Sequence, residues 1–156
     1  EMTSSLVGSE MCIRDSISSE MAARYSNAPD YPEVAKRALA QMVKQTGDAK
    51  FDERDMMKRG VIVRHLILPG HIKESKEAIR YLYETYGDQI YISIMNQYTP
   101  MPGIEKRFKN LGRTITQKEY DEVVDYAIDL GVENGFIQEG ETAKESFIPQ
   151  FDDTGL

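Results

Sequence analysis

Residues 61–68 read VIVRHLIL and stop at Pro69-Gly70. The run is almost continuously apolar and rich in β-branched side chains, and eight residues is strand length. Such a run predicts a strand covered on both faces, as in a parallel sheet. A single charge interrupts it. Because successive side chains point to opposite faces, Arg64, Leu66 and Leu68 share one face, while Val63, His65 and Ile67 share the other.

Working outward, the elements on either side alternate in type. Upstream, residues 31–47 carry apolar pairs at Val34/Ala35, Ala38/Leu39 and Met42/Val43, one face of a helix. Asp30 is its candidate N-cap, Pro32 falls in the first turn and Gly47 is a natural stop. A polar stretch, 48–60, leads into the strand. Downstream, residues 75–86 place Ala78/Ile79, Leu82/Tyr83 and Tyr86 at helical spacing before Gly87. A second buried strand, Ile90–Met95 (IYISIM), follows, and then a long loop, 96–115. Thr116 and Glu119 form a capping-box pattern that opens another helix. Its stripe is Tyr120, Val123/Val124, Ala127/Ile128 and Leu130, and Gly131 ends it. A short strand over 135–138 completes the order, and the tail, 139–156, shows no period.

Strand, helix, strand, helix, strand implies right-handed βαβ crossovers and a parallel sheet, hence an α/β fold. In such sheets chemistry gathers at the carboxyl ends of the strands. That rule singles out Pro69-Gly70-His71, Asn96-Gln97-Tyr98 and Gln138-Glu139.

Composition excludes several classes. With a net charge of −7 and bases scattered among acids, the chain offers no basic face for nucleic acid. Its apolar runs are far short of the ~20 residues of a membrane helix. Cys12 is the only cysteine, and one thiol cannot build a disulfide, a zinc site or an iron–sulfur site alone. The absence of disulfides points to a cytoplasmic protein. There is no G-x-G-x-x-G, no P-loop and no C-x-x-C.

Residues 1–16, EMTSSLVGSEMCIRDS, have neither helical nor strand periodicity. The run SSLVGSEMCIRDS resembles a peptide that arises when sequencing-adapter DNA is translated in frame. Residues 1–17 are therefore expected to be an artefactual or disordered segment, with the natural sequence starting near Ile17 or Ser18. A first residue that is Glu1 rather than methionine agrees with an incomplete translation product.

Arg64 is the first candidate for chemistry, since a charge inside an apolar strand needs a partner or a ligand. Facing a barrel interior, it could grip a ligand carboxylate with both guanidinium nitrogens; the competing reading is a pair with a core Asp or Glu. His65 should point toward the helices as a satisfied structural group, and His71 should be solvated. Neither has a Ser or Cys nucleophile beside it, so a hydrolytic triad is not supported. Asn96, Gln97 and Tyr98 could orient and stack a purine, or simply cap a loop. The tyrosines at 81, 83, 86, 120 and 126 are core or amphipathic cover, and pairs such as Lys73-Glu74 form a solvated face.

Five stretches in order carry a family resemblance: ARYSNAPDYPEVAKRALAQM at 23–42, RGVIVRHLILPG at 59–70, YISIMNQYTP at 91–100, RTITQKEYDEVVDYAIDLG at 113–131 and NGFIQEGETAKESFIPQFD at 134–152. Together they resemble the C-terminal half of radical S-adenosylmethionine (SAM) proteins related to pyruvate formate-lyase activating enzymes, over nearly everything from residue 18 onward. The resemblance implies that 18–156 is the C-terminal part of an incomplete (β/α)6 TIM-like barrel with parallel strands. SAM would lie across the carboxyl ends of those strands. Arg64 would meet its methionyl carboxylate, Leu66 would line the same pocket, and Gln97 and Tyr98 would approach the adenine, where related activases present a histidine. The intact parent would use a 4Fe-4S cluster to cleave SAM to a 5′-deoxyadenosyl radical for hydrogen abstraction. Its partners would be an electron donor and a protein substrate of the glycyl radical enzyme type, although for this subgroup that substrate is not assumed.

This chain departs from the family where the cluster should be. The C-x-x-x-C-x-x-C loop and the Gly-Gly-Glu strand are absent, as is the Asp-x-Lys strand expected just before Ser18. The expectation is an oxidoreductase fragment that is inactive alone. The alternative is a self-contained α/β binding or regulatory domain without redox chemistry. An independent domain should protect both sheet edges, whereas a severed barrel should bare the edge of the 61–68 strand.

Overall fold

The computed structural model describes residues 8–13, 19–139 and 144–147. In chain order the elements are β1 (Gly8–Ile13), α1 (Ser19–Ser26), α2 (Tyr31–Thr46), β2 (Lys50–Phe51), β3 (Met57–Leu66), α3 (Ile72–Tyr86), β4 (Ile90–Met95), α4 (Ile104–Arg107), α5 (Gln117–Leu130), β5 (Gly135–Glu139) and β6 (Lys144–Phe147).

The apolar runs at the centre of the sequence pair as expected. β3 and β4 are parallel, with Val61 opposite Ile90 and His65 opposite Ile94. β5 continues the sheet in parallel beside β4, Ile94 opposite Ile137. The fold is mixed α/β, built on a curled half-barrel sheet that is mostly parallel. Among the described residues, antiparallel pairing joins β6 to β5 and β2 to the first residues of β3.

Packing follows from the pleat. Val61, Val63 and Ile67 from β3, and Ile90, Ile92 and Ile94 from β4, are buried in one core. Leu39 and Val43 of α2, Ile79 and Leu82 of α3, and Tyr120, Val123, Val124 and Ala127 of α5 close it. These helices therefore cover one face of the sheet. Right-handed crossovers put their helices on the same side where the strands add in one direction, as β3, β4 and β5 do. The other face carries the alternate residues, and there Phe51, Tyr91 and Phe136 meet in a row, with ring centroids 5.4 and 5.6 Å apart.

Local chemistry ends the helices where the sequence predicts. Gly131 adopts φ 99 and donates its N–H to Ala127 and Ile128. A left-handed residue of this kind costs glycine nothing. At the start of α5, Thr116 accepts from the Glu119 N–H while the Glu119 carboxylate accepts from the Thr116 N–H, a complete capping box. Asp30 precedes α2 without a side-chain capping bond.

Several elements differ from the sequence reading. β3 begins at Met57, not Val61, because 50–59 folds back as a hairpin around Asp52, whose carboxylate accepts from the N–H groups of Arg54 and Met56. α3 begins at Ile72, three residues before Ser75. The 96–115 loop contains α4 and a 3-10 turn at Lys109–Gly112. α1 and β6 were not expected. Of the segment 1–17, expected to be artefactual or disordered, residues 1–7 and 14–17 lie outside the described residues, and 8–13, which show no strand periodicity in sequence, are described. Gly8–Ile13 forms β1, parallel to β3 with Gly8 opposite Gly60 and Cys12 opposite Arg64. Among the described residues, no helix is long and apolar enough to cross a membrane.

Candidate functional site

Arg64 sits between Val63 and His65, both buried toward the helices, so the pleat sends it to the helix-free face. It is half-buried there, opposite Ser93 of β4 in the parallel register, and Ser93 in turn lies opposite Phe136 of β5. Leu66, one pleat nearer the carboxyl end, shares that face.

Beyond Leu66 the carboxyl rim is roofed. Met21 and Tyr25 of α1, Leu66 and Leu68, Tyr98, and Ile104, Phe108 and Leu111 form a second apolar cluster. Tyr98 is half-buried and its hydroxyl donates to the Leu111 carbonyl at 2.9 Å. Burial raises the Tyr98 phenol above its usual range, with the nearby Tyr25 adding to the effect. Gln97 is exposed. The structure thus brings Leu66 and Tyr98 into one cluster, puts Arg64 beneath them on the same face, and leaves Gln97 at the surface. Gln138 and Glu139 end β5 at the same rim.

Sequence reasoning missed the polar contacts that tie this rim together. The Glu119 carboxylate binds both Arg113 guanidinium nitrogens at 2.7 Å and also accepts the Gly70 N–H at 3.0 Å. The Arg113 bonds foremost, then the N–H groups of Thr116 and Gly70, hold Glu119 well below the usual carboxylate range despite its partial burial. The Thr116-x-x-Glu119 pattern signalled the helix start, but nothing in it named Arg113 or Gly70 as partners.

His71 was expected to be solvated. Its side chain is only 12% exposed, and its Nε2 lies 2.9 Å from the Tyr25 hydroxyl. Its Nδ1 faces Glu74 Oε1 at 3.5 Å. Tyr25 also meets Phe108 edge to face at 4.8 Å. The signal for α1 was present as Met21/Ala22 and Tyr25 at helical spacing, but the helix is too short for periodicity to stand out.

His65 corrects the sequence reading differently. It does point toward the helices, at 1% exposure, yet neither ring nitrogen has a hydrogen-bond partner among the described residues. Desolvation pushes its pKa down to about 4, so the ring is neutral.

Among the described residues no group of three or more His, Cys, Asp or Glu is placed to hold a metal ion. The arrangement sets a guanidinium below an apolar, aromatic-lined edge, chemistry that a carboxylate and a flat ring would complement. Neither a protein-family model, nor a curated protein, nor a solved structure matches the chain.

Proposed function

We propose that residues 18–156 are the C-terminal part of a radical SAM enzyme similar to pyruvate formate-lyase activating enzymes, an incomplete (β/α)6 barrel whose other strands lie outside this chain. The observation that carries the reading is the position of Arg64, on the helix-free face of a curled, mostly parallel sheet, one pleat below the carboxyl rim. In a barrel that face is the interior. Arg64 would hold the methionyl carboxylate of SAM, Leu66 would lie against its chain, and Tyr98 would offer a ring near the adenine, with its hydroxyl already held by Leu111. Gln97, exposed at the strand exit, would reach the adenine only if the loop closes over it.

The residues present do not fit the 4Fe-4S cluster. Such a cluster takes several thiolates, and Cys12 is the chain's one cysteine. Cluster ligation, reduction and hydrogen abstraction therefore belong to an intact parent, with an electron donor and a protein substrate as its partners. This chain alone is inactive in this reading.

The second reading, a self-contained α/β binding domain, is favoured by one observation. The β3 edge is covered by β1, and β6 pairs along β5. Protected edges are what an independent domain requires. The two readings separate on expression of residues 1–156, which keep β1 over the β3 edge. A severed barrel should associate or aggregate through its open helix-free face, whereas a cooperatively melting monomer supports the independent domain.

The direct test of the first reading is the DNA upstream of the Ile17 codon in the source locus. Three cysteines in C-x-x-x-C-x-x-C spacing are expected there, and an uninterrupted frame without them would overturn the proposal. In the protein restored from that frame, Arg64→Ala should weaken SAM binding by about 1–3 kcal/mol.

A further inference from the structure

Among the described residues, tyrosine hydroxyls meet backbone carbonyls, as at Tyr98 and Tyr120, or a second hydroxyl, as between Tyr81 and Tyr86. Tyr98 donates to the Leu111 carbonyl at 2.9 Å and Tyr120 to the Ile94 carbonyl at 3.2 Å. A carbonyl accepts a hydrogen bond but does not keep the proton. Tyr25 meets the imidazole of His71 instead, at 2.9 Å, and imidazole is a base.

The tautomer follows from the far side of the ring. A carboxylate only accepts, and Glu74 Oε1 stands 3.5 Å from Nδ1. Nδ1 makes no hydrogen bond there, but the negative charge at that distance favours the proton on Nδ1. The Nε2 lone pair is then free to accept from the Tyr25 hydroxyl. Glu74, His71 and Tyr25 form a line in which a proton can move from phenol to imidazole, with a carboxylate facing the imidazolium that results.

An oxidised phenol is a far stronger acid than the neutral one, so a tyrosine gives up an electron readily only where a base takes its proton. We propose that Tyr25 is a redox-active tyrosine. It passes one electron to an outer-sphere metal-complex oxidant, of the ruthenium(III) polypyridyl class, while its hydroxyl proton moves to His71 Nε2, leaving a neutral phenoxyl radical beside an imidazolium. One electron and one proton leave the phenol; the oxidant is reduced by one electron and His71 gains the proton. Electron transfer needs no contact between oxidant and ring, so packing against Phe108 does not hinder it. Phe108 and the rest of the rim cluster also shield the radical from solvent. The Arg24 guanidinium, 5.4 Å from the ring centroid, would oppose forming a cationic ring, but the oxidised ring is neutral once its proton has gone. The proposal rests on this hydrogen-bond geometry and is independent of the radical SAM reading.

The test is flash photo-oxidation of the full chain with ruthenium tris-bipyridine and a sacrificial acceptor. Phenoxyl yield is followed by its optical absorption and by electron paramagnetic resonance. Tyr25→Phe keeps the ring packing and should lower the yield several-fold, although the chain has nine tyrosines. His71→Gln keeps a hydrogen-bond acceptor without a base and should lower it similarly, whereas Tyr98→Phe should not. Variants are compared only where their circular dichroism matches wild type. High-field resonance of the wild-type radical decides the matter without any variant, because a phenoxyl bonded to imidazolium has a reduced largest g component. An unbonded phenoxyl spectrum, or equal yield in folded Tyr25→Phe, would overturn the proposal.

Discussion

The Gly70 N–H donates to Glu119 Oε1 at 3.0 Å, joining the turn that leaves β3 to the first turn of α5. The same carboxylate completes the α5 capping box and takes both guanidinium nitrogens of Arg113. One side chain thus fixes three separate segments at the carboxyl rim.

Replacing Glu119 with glutamine should therefore cost about 1–2 kcal/mol, the sum of a lost cap and a half-exposed ion pair. Urea unfolding at neutral pH measures it. Since Glu119 is held below the usual carboxylate range, its contribution is full above the unfolded value near 4.5 and shrinks as pH falls below it. A variant as stable as wild type would show that the clamp is ornamental.

His65 sets a second pH dependence, of opposite chemical origin. Its folded pKa is about 4 and its unfolded value 6.5, so between them the unfolded chain binds the extra proton. Stability should be full above pH 6.5 and fall by about 3 kcal/mol as pH drops to 4 and below. His65→Leu should remove that part of the slope. At neutral pH it should leave the protein equally or more stable, because two unpaired buried nitrogens disappear. Denaturation curves across this range for both proteins check the sign.

Gly60 is a tight backbone position within β3. It has φ +145, and a Cβ there would sit 3.0 Å from Ala49 Cα and 3.1 Å from Met57 Sδ. Gly60→Ala should cost about 1–3 kcal/mol through strain and displacement of the hairpin. Thermal melting measures the loss, and a neutral substitution would mean the hairpin moves freely.

A core residue of the sheet and an outer residue of the helical layer should respond very differently to truncation. Ile92 is 2% exposed in the core and Ile128 is 42% exposed on α5. Ile92→Ala should lose about 2–5 kcal/mol, and Ile128→Ala no more than roughly 0.5 kcal/mol. Equal losses would place the core elsewhere.

How much of this was legible in the sequence depends on the range of the interaction. β4 was read to the residue, and α5 with its Thr116 and Gly131 ends, because periodicity and capping are local. The alternation of Arg64 with His65 also follows from the pleat alone. The start of β3 at Met57 was hidden, since the exposed Lys58 and Arg59 interrupt any apolar run and this stretch gains its strand by pairing with Lys50 and Phe51. The Tyr25–His71 and Gly70–Glu119 contacts join residues more than forty positions apart. No local pattern encodes such contacts. His65 was read as satisfied because buried histidines usually are; its unpaired nitrogens depend on what neighbours it in space, here the apolar layer around Val63 and Ile67.

β1 differs from the rest of the sheet in how late it must arrive. Its partner lies beyond two helices and a hairpin, so closing that loop costs chain entropy before any ladder bond repays it. β3, β4 and α3 between them can assemble first, from contacts nearer in sequence. The strand formed by Gly8–Ile13 should accordingly zip onto the sheet late in refolding and peel away early, so its amides should exchange with deuterium sooner than those of β4.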